Sequence, residues 1–206
     1  MRVKCFLWIS VAVLFVGCSG NSSKKETVTD ESSNESTEQP SAKKDAAASA
    51  DETQKRIEEL KKVPLITNDQ LKSFFPQEVM GMRRSQFNIS SVTGFATGTA
   101  EYKKDDTTEY QVMIYDCAGE SGSAFYGMRY LTGWNVERED DNGYEKTVSF
   151  QGGKALESYN KNGNKHTLNF VTADRFWITL EGRNTGLDNL KSFAEALNLE
   201  KLKDLK

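Results

Sequence analysis

Few residues of this 206-residue chain have the type and spacing that chemistry needs. Its single histidine, His166, stands between Lys165 and Thr167 with no spaced partner. Neither a metal set nor a Ser-His-Asp arrangement can be assembled around it, so it reads as structural or exposed. Cys117 follows Asp116, and a carboxylate is the opposite of the positive neighbour that lowers a thiol's pKa for nucleophilic work. It is expected to be a small buried hydrophobe at a strand end. Lys104-Asp105-Asp106 and Glu139-Asp140-Asp141-Asn142 are acidic enough to interest a calcium ion. Counting back from Gly143, however, puts Arg138 at the first ligand position of an EF-hand loop and Ser149 at the last, and both runs read as solvated turns. Gly119-Glu120-Ser121-Gly122-Ser123 precedes a helical pattern but lacks the Lys-Ser/Thr of a P-loop, and Gly152-Gly153-Lys154 lies between strands. No catalytic residue, metal ligand or cofactor motif is therefore assigned. Tyr126, Tyr130 and Trp134 are the candidate ligand patch, able to line a groove for a sugar or a peptide, although their helical spacing suits a core as well.

The spacing that does point to chemistry lies at the N-terminus. Arg2 and Lys4 precede an apolar run from Phe6 to Val16, broken only by Ser10. At about 11 residues the run fits a signal h-region and falls well short of the ~20 needed to span a bilayer. Leu14-Phe15-Val16-Gly17-Cys18 closes it in the pattern of a bacterial lipobox, with Phe15 where Leu is usual. Cleavage is expected after Gly17, and the Cys18 thiol is the nucleophile that receives a diacylglyceryl group. Cys5 then leaves with the signal and Cys18 carries lipid. Cys117 is left alone, and no intramolecular disulfide can form even though an exported compartment permits one.

Residues 1–17 are thus expected to be a lipoprotein signal peptide, 18–62 a lipidated tether, and 63–206 one globular domain. From Ser19 to Ala50, Ser, Thr, Glu, Lys, Asn and Ala dominate and Val28 is the only large aliphatic residue, a composition expected to stay disordered. Asp51 to Lys62 is predicted to form a short helix with Ile57 and Leu60 on one side, ended by Pro64. As coil, the stretch from Ser19 to Lys62 would reach ~35–40 Å. Net charge is −3 and spread along the chain, with no basic stripe, so nucleic acid is not an expected partner.

The domain's elements follow from periodicity. Thr67 or Asn68 caps a short helix through Leu71 and Phe74 or Phe75, which Pro76 stops. Strands are predicted over Arg84–Ser90, Ala96–Lys103 and Glu109–Cys117. The last is apolar on both faces toward its end, hence central. Gly119–Trp134 reads as a largely buried helix with Ala124, Met128 and Leu131 in its apolar stripe and Gly127 allowing close packing on the sheet. Glu137–Gly143 reads as a loop. Strands are then predicted over Tyr144–Gln151, Lys154–Asn160, Lys165–Thr172 and Arg175–Glu181, and an amphipathic helix over Leu187–Leu197. The fold class expected is α+β: an antiparallel sheet of about six or seven strands with helices on one or both faces.

The lipobox, the Ser/Lys/Glu spacer, the Asp174-Arg175-Phe176 strand start, Glu181-Gly182-Arg183 and the closing Leu-rich helix together resemble small envelope lipoproteins of Gram-negative bacteria that have no assigned chemistry. Asp106-Thr107-Thr108 is similar to the O-glycosylation acceptor motif of Bacteroidota. The element order resembles Mog1/PsbP-like domains, which implies a binding or assembly module. The resemblance implies membrane attachment through lipid on Cys18, and Ser19 is compatible with the outer membrane, the periplasmic or surface facing staying open. The expected function is a non-catalytic binding domain for another envelope component, a protein or a glycan. The alternatives are an envelope enzyme using dispersed carboxylates and a structural envelope protein.

Overall fold

Alternation decides the centre of the molecule. A computed structural model describes residues 41–92, 94–133 and 135–205, with the side chains of 41–49 and 130–133 excepted. The described residues form strands β1 (Glu78–Val79), β2 (Met82–Val92), β3 (Phe95–Lys103), β4 (Glu109–Asp116), β5 (Glu137–Asp140), β6 (Gly143–Phe150), β7 (Gly153–Asn160), β8 (Lys165–Thr172) and β9 (Phe176–Arg183). The helices are α1 (Ser41–Leu60), α2 (Asn68–Lys72), α3 (Gly119–Gly133) and α4 (Leu187–Ala196), followed by a 3₁₀ helix, Leu199–Asp204. In β4, Tyr110, Val112, Ile114 and Asp116 lie on one face and are buried, while the intervening residues are half-buried on the other.

All nine strands form one antiparallel sheet in the order β1-β2-β3-β4-β9-β8-β7-β6-β5. Two meanders meet at its middle, where Val112 faces Leu180 and Ile114 faces Ile178 across the β4–β9 pair. The strand expected to be central is central. The expected six or seven strands were an undercount, for a physical reason. The two-residue β1 is too short to show a period. The four residues of β5 are all exposed and polar, so their sequence has no face to bury and reads as a loop. They are held instead by backbone pairing, with Glu139 opposite Tyr144 and Asp140 opposite Gly143. Charged side chains on such an edge also discourage pairing with another chain.

Two apolar clusters seal the two faces. The larger gathers Leu71 and Phe75 near α2, Leu190 and Phe193 of α4 and Leu199 and Leu202 of the 3₁₀ helix over the buried residues of β3, β4, β8 and β9. Phe193 is its keystone, stacked on Tyr110 at 4.8 Å and edge-on to Tyr102 at 5.4 Å. Thr67 and Gln70 form a capping box at the start of α2. On the opposite face, Ile57 and Leu60 of α1 meet Cys117, Tyr126 and Trp177. The helix α1 begins well before the expected Asp51, and Thr53, Ile57 and Leu60 form its buried stripe.

The helix α3 corrects a second expectation. Ala124 is exposed and Met128 is 59% exposed, so neither belongs to the buried stripe. Gly122, Ser123, Tyr126 and Gly127 are buried instead. A Cβ on Gly122 would stand 2.9 Å from the Asp116 carbonyl oxygen, and one on Gly127 would stand 2.7 Å from Ile57 Cδ1. The helix therefore packs through its smallest residues, and Gly127 makes room for α1 rather than for the sheet.

Candidate binding cleft

At the end of the sheet where β6 turns into β7 and β8 into β9, a cleft of about 600 Å³ opens. Its walls come from four parts of the chain: Arg56 at the end of α1, the β6–β7 turn, the β8–β9 turn, and Glu200, Lys203 and Leu205 at the C-terminal end. The floor is aromatic, with Phe150 and Phe170 edge-to-face at 5.1 Å. A volume of this size falls in the range that holds a small organic ligand.

Both turns bring left-handed backbone to the cleft. Gln151 and Gly152 have φ of 48° and 77°, and Ala173 and Asp174 have φ of 55° and 49°. Positive φ at both central residues matches the right-handed twist of paired strands. Asn and Gly adopt it most readily, and Ala173 is held there against its own preference. A hydrogen bond from Arg175 N to the Thr172 carbonyl, 3.2 Å, closes that turn.

Arg175 fixes this end of the molecule. Its Nε donates to Asp116 Oδ1 at 2.7 Å and its Nη2 to Asp116 Oδ2 at 2.8 Å. Nη2 also donates to the Pro64 carbonyl at 2.8 Å. Asp116 accepts further from Ile66 N at 2.7 Å and from Ala118 N at 3.0 Å. The two side chains are 7% and 0% exposed, so this is a buried ion pair with its hydrogen-bonding capacity well used. It ties the segment after α1 to the centre of the sheet. Arg56 reaches the cleft from α1, donating from Nε to the Asp174 carbonyl at 2.8 Å and from Nη1 to Glu59 at 2.9 Å.

A second polar cluster lies on the α4 face. Glu157 of β7 is 2% exposed and accepts a hydrogen bond from the Tyr144 hydroxyl at 2.9 Å. Lys146 and Lys191 stand 3.5 Å from its two oxygens. Burial, reinforced by the bond to Glu157, pushes the Tyr144 hydroxyl up to about 12. His166 stacks on Tyr159 at 4.5 Å, burial lowers its pKa, and its Nδ1 is buried with no hydrogen-bond partner among the described residues.

The residues singled out by sequence fall elsewhere. Tyr126 is 4% exposed beneath α1, where it lines a space of about 300 Å³ together with Thr53, Arg56 and Asp174. Trp134 and the side chain of Tyr130 lie outside the described residues, as do Gly17 and Cys18. Cys117 is buried, and that burial pushes its thiol up to about 12. Asp105 spends its carboxylate on the β3–β4 turn, accepting from Thr107 N at 2.9 Å and Thr108 N at 2.7 Å, which brings its pKa down to about 2. Asp140 Oδ1 accepts from Asn142 N at 2.7 Å and from Gly143 N at 3.1 Å in the β5–β6 turn. No group of three or more His, Cys, Asp or Glu side chains able to hold a metal ion occurs among the described residues.

The Asp116–Arg175 pair escaped sequence reasoning, although one signal for it was present. Asp116 occupies the buried phase of β4, after Tyr110, Val112 and Ile114, and a carboxylate there demands a cationic partner. Glu157 carries the same signal between Ala155 and Tyr159. Compared with known families, curated proteins and solved structures, the chain matches none.

Proposed function

We propose that the protein is a bacterial envelope lipoprotein, anchored by lipid on Cys18, whose domain is a non-catalytic module that binds an envelope component in the cleft at the β6–β7 and β8–β9 turns. The cleft carries this reading: about 600 Å³ with an aromatic floor and charged walls drawn from four separate parts of the chain. Four groups that chemistry could use are engaged in holding the fold. Asp116, Asp105 and Asp140 accept structural hydrogen bonds, and Cys117 is a buried, protonated thiol. The lipobox, Leu14-Phe15-Val16-Gly17-Cys18, supports the anchor.

Two measurements test the halves of the proposal. Metabolic labelling with a clickable palmitate should mark the wild-type protein and not Cys18→Ala; label retained on Cys18→Ala would refute the anchor. In-cell photo-crosslinking from position 205, in the cleft, should give a recurrent adduct that position 120, at the start of α3, does not. The same adducts from both positions would refute the cleft as the binding site.

A further inference from the structure

We infer that the cleft takes a monocarboxylate with an apolar body, its carboxylate directed to the Arg56–Arg175 side; this rests on the binding reading above. Three cationic side chains, from α1, the β8–β9 turn and the 3₁₀ helix, line one space: Arg56, Arg175 and Lys203. Arg175 is the most buried of them and the best fixed. With Nε and Nη2 committed to Asp116 and Pro64, its Nη1 has no hydrogen bond among the described residues. A guanidinium held so tightly loses little freedom when it gains another acceptor. Asp116 cancels its charge, so what remains is a directional donor rather than a bare positive field. Lys203 is bound only loosely, 3.9 Å from Glu200.

The same lining argues for a single negative charge. Asp174 and Glu200 are both exposed, and both line the cleft. A dianion such as a phosphate monoester would carry twice the charge past those two carboxylates, whereas a monoanion needs one oxygen to accept from Arg175 and only the loosely held Lys203 to turn from Glu200 toward it. The rest of the ligand must be apolar, because Phe150, Phe170, Val63 and Leu205 supply much of the remaining wall. Burial of that body would provide most of the affinity and the anion the orientation.

The test is calorimetric titration of the purified domain, residues 39–206, the unit that contains every described element, after circular dichroism and a cooperative melt establish that it is folded. Four probes share one chain length: decanoate, decyl phosphate, decanol and decyltrimethylammonium. Decanoate is expected to bind at least tenfold more tightly than each of the others. Lys203→Glu should weaken decanoate about fivefold and leave decanol unchanged. Gly153→Leu should abolish binding, since a Cβ at Gly153 meets nothing closer than the Phe150 carbonyl oxygen at 3.9 Å and the added side chain can occupy the cleft. Equal affinity for decanoate and decanol, both lost in Gly153→Leu, would overturn the carboxylate inference and leave the cleft standing. Tighter binding of the phosphate or the ammonium would also overturn it. Binding of no probe would remove the apolar-ligand inference, and the crosslinks from position 205 would then decide the cleft separately.

Discussion

Two carboxylates are buried among the described residues, Asp116 and Glu157, and they make opposite use of similar surroundings. Asp116 is met by a bidentate guanidinium and two backbone N–H groups, every bond between 2.7 and 3.0 Å. Glu157 has one bond of that quality, from Tyr144, and two ammonium groups at 3.5 Å. The first arrangement pins the chain, and it leaves Arg175, a residue of the cleft wall, with Nη1 unbonded among the described residues. The second gathers Glu157, Lys146 and Lys191 around a buried point on β7 and satisfies them with one another. A binding site needs both space and unspent hydrogen-bonding capacity, so the cleft, rather than the cluster with more titratable groups, is the functional candidate.

Breaking the tighter pair should have the largest effect. Arg175→Met leaves the Asp116 carboxylate buried without its cation and should cost ~3–5 kcal/mol. In a domain of this size that is a fall in Tm of about 2–4 °C per kcal/mol. A loss below 1 kcal/mol in urea unfolding would mean the pair is not the pin described. Glu157→Gln keeps an acceptor for Tyr144 and removes a loosely held charge, so ~1–2 kcal/mol is expected. The Tyr144 phenol should then ionise below about 12 in an ultraviolet titration, because Glu157 is one of the groups that hold it there. An unchanged titration would assign the shift to burial alone.

Alkaline pH sharpens the contrast between the two sides of the sheet. Cys117 under α1 and Tyr102 under α4 are both pushed up to about 12 by burial. A raised folded-state value favours the protonated native form. Its contribution is therefore whole below the unfolded pKa, about 8.5 for Cys and 10 for Tyr, and is lost as pH climbs toward 12, by at most ~1.4 kcal/mol per unit for each group. The sides should differ once α1 is disturbed. Gly127→Leu drives a side chain into Ile57 and should expose Cys117 to a thiol reagent at pH 8, at a cost of ~1–3 kcal/mol, while Tyr102 still titrates as in the wild type. Loss of both together would show that the two faces unfold as one. The smallest effect is expected at the cleft itself: Ala173→Gly relieves a left-handed alanine and should raise stability by no more than ~1 kcal/mol.

Legibility in the sequence followed side-chain size. The face sealed by large residues was readable: β3, β4, β6, β7, β8 and β9 and the helix α4 fall close to their expected spans, because period-two alternation and the Leu187–Leu190–Phe193–Ala194 stripe announce them. On the opposite face the Ile57–Leu60 side of α1 was readable and the packing of α3 through glycine was not. Apolar spacing put Ala124 and Met128 inward on α3, whereas close approach at Gly122 and Gly127 turned the helix by about a residue, and a missing Cβ leaves no periodic signal. Edge strand β5 was invisible because backbone pairing alone holds it. The cleft was hidden for another reason. Its walls, from Arg56 to Leu205, are brought together by the β4–β9 closure, and nothing local in the sequence reports a contact between residues 118 apart such as Arg56 and Asp174.

Amide hydrogen exchange of the folded domain, with and without saturating decanoate, locates the ligand on the fold. Slowed exchange is expected at 150–153, at 172–175 and at the end of α1, with 144–147 and 157–159 unchanged. Protection around Tyr144 and Glu157, or none at either turn, would contradict that placement.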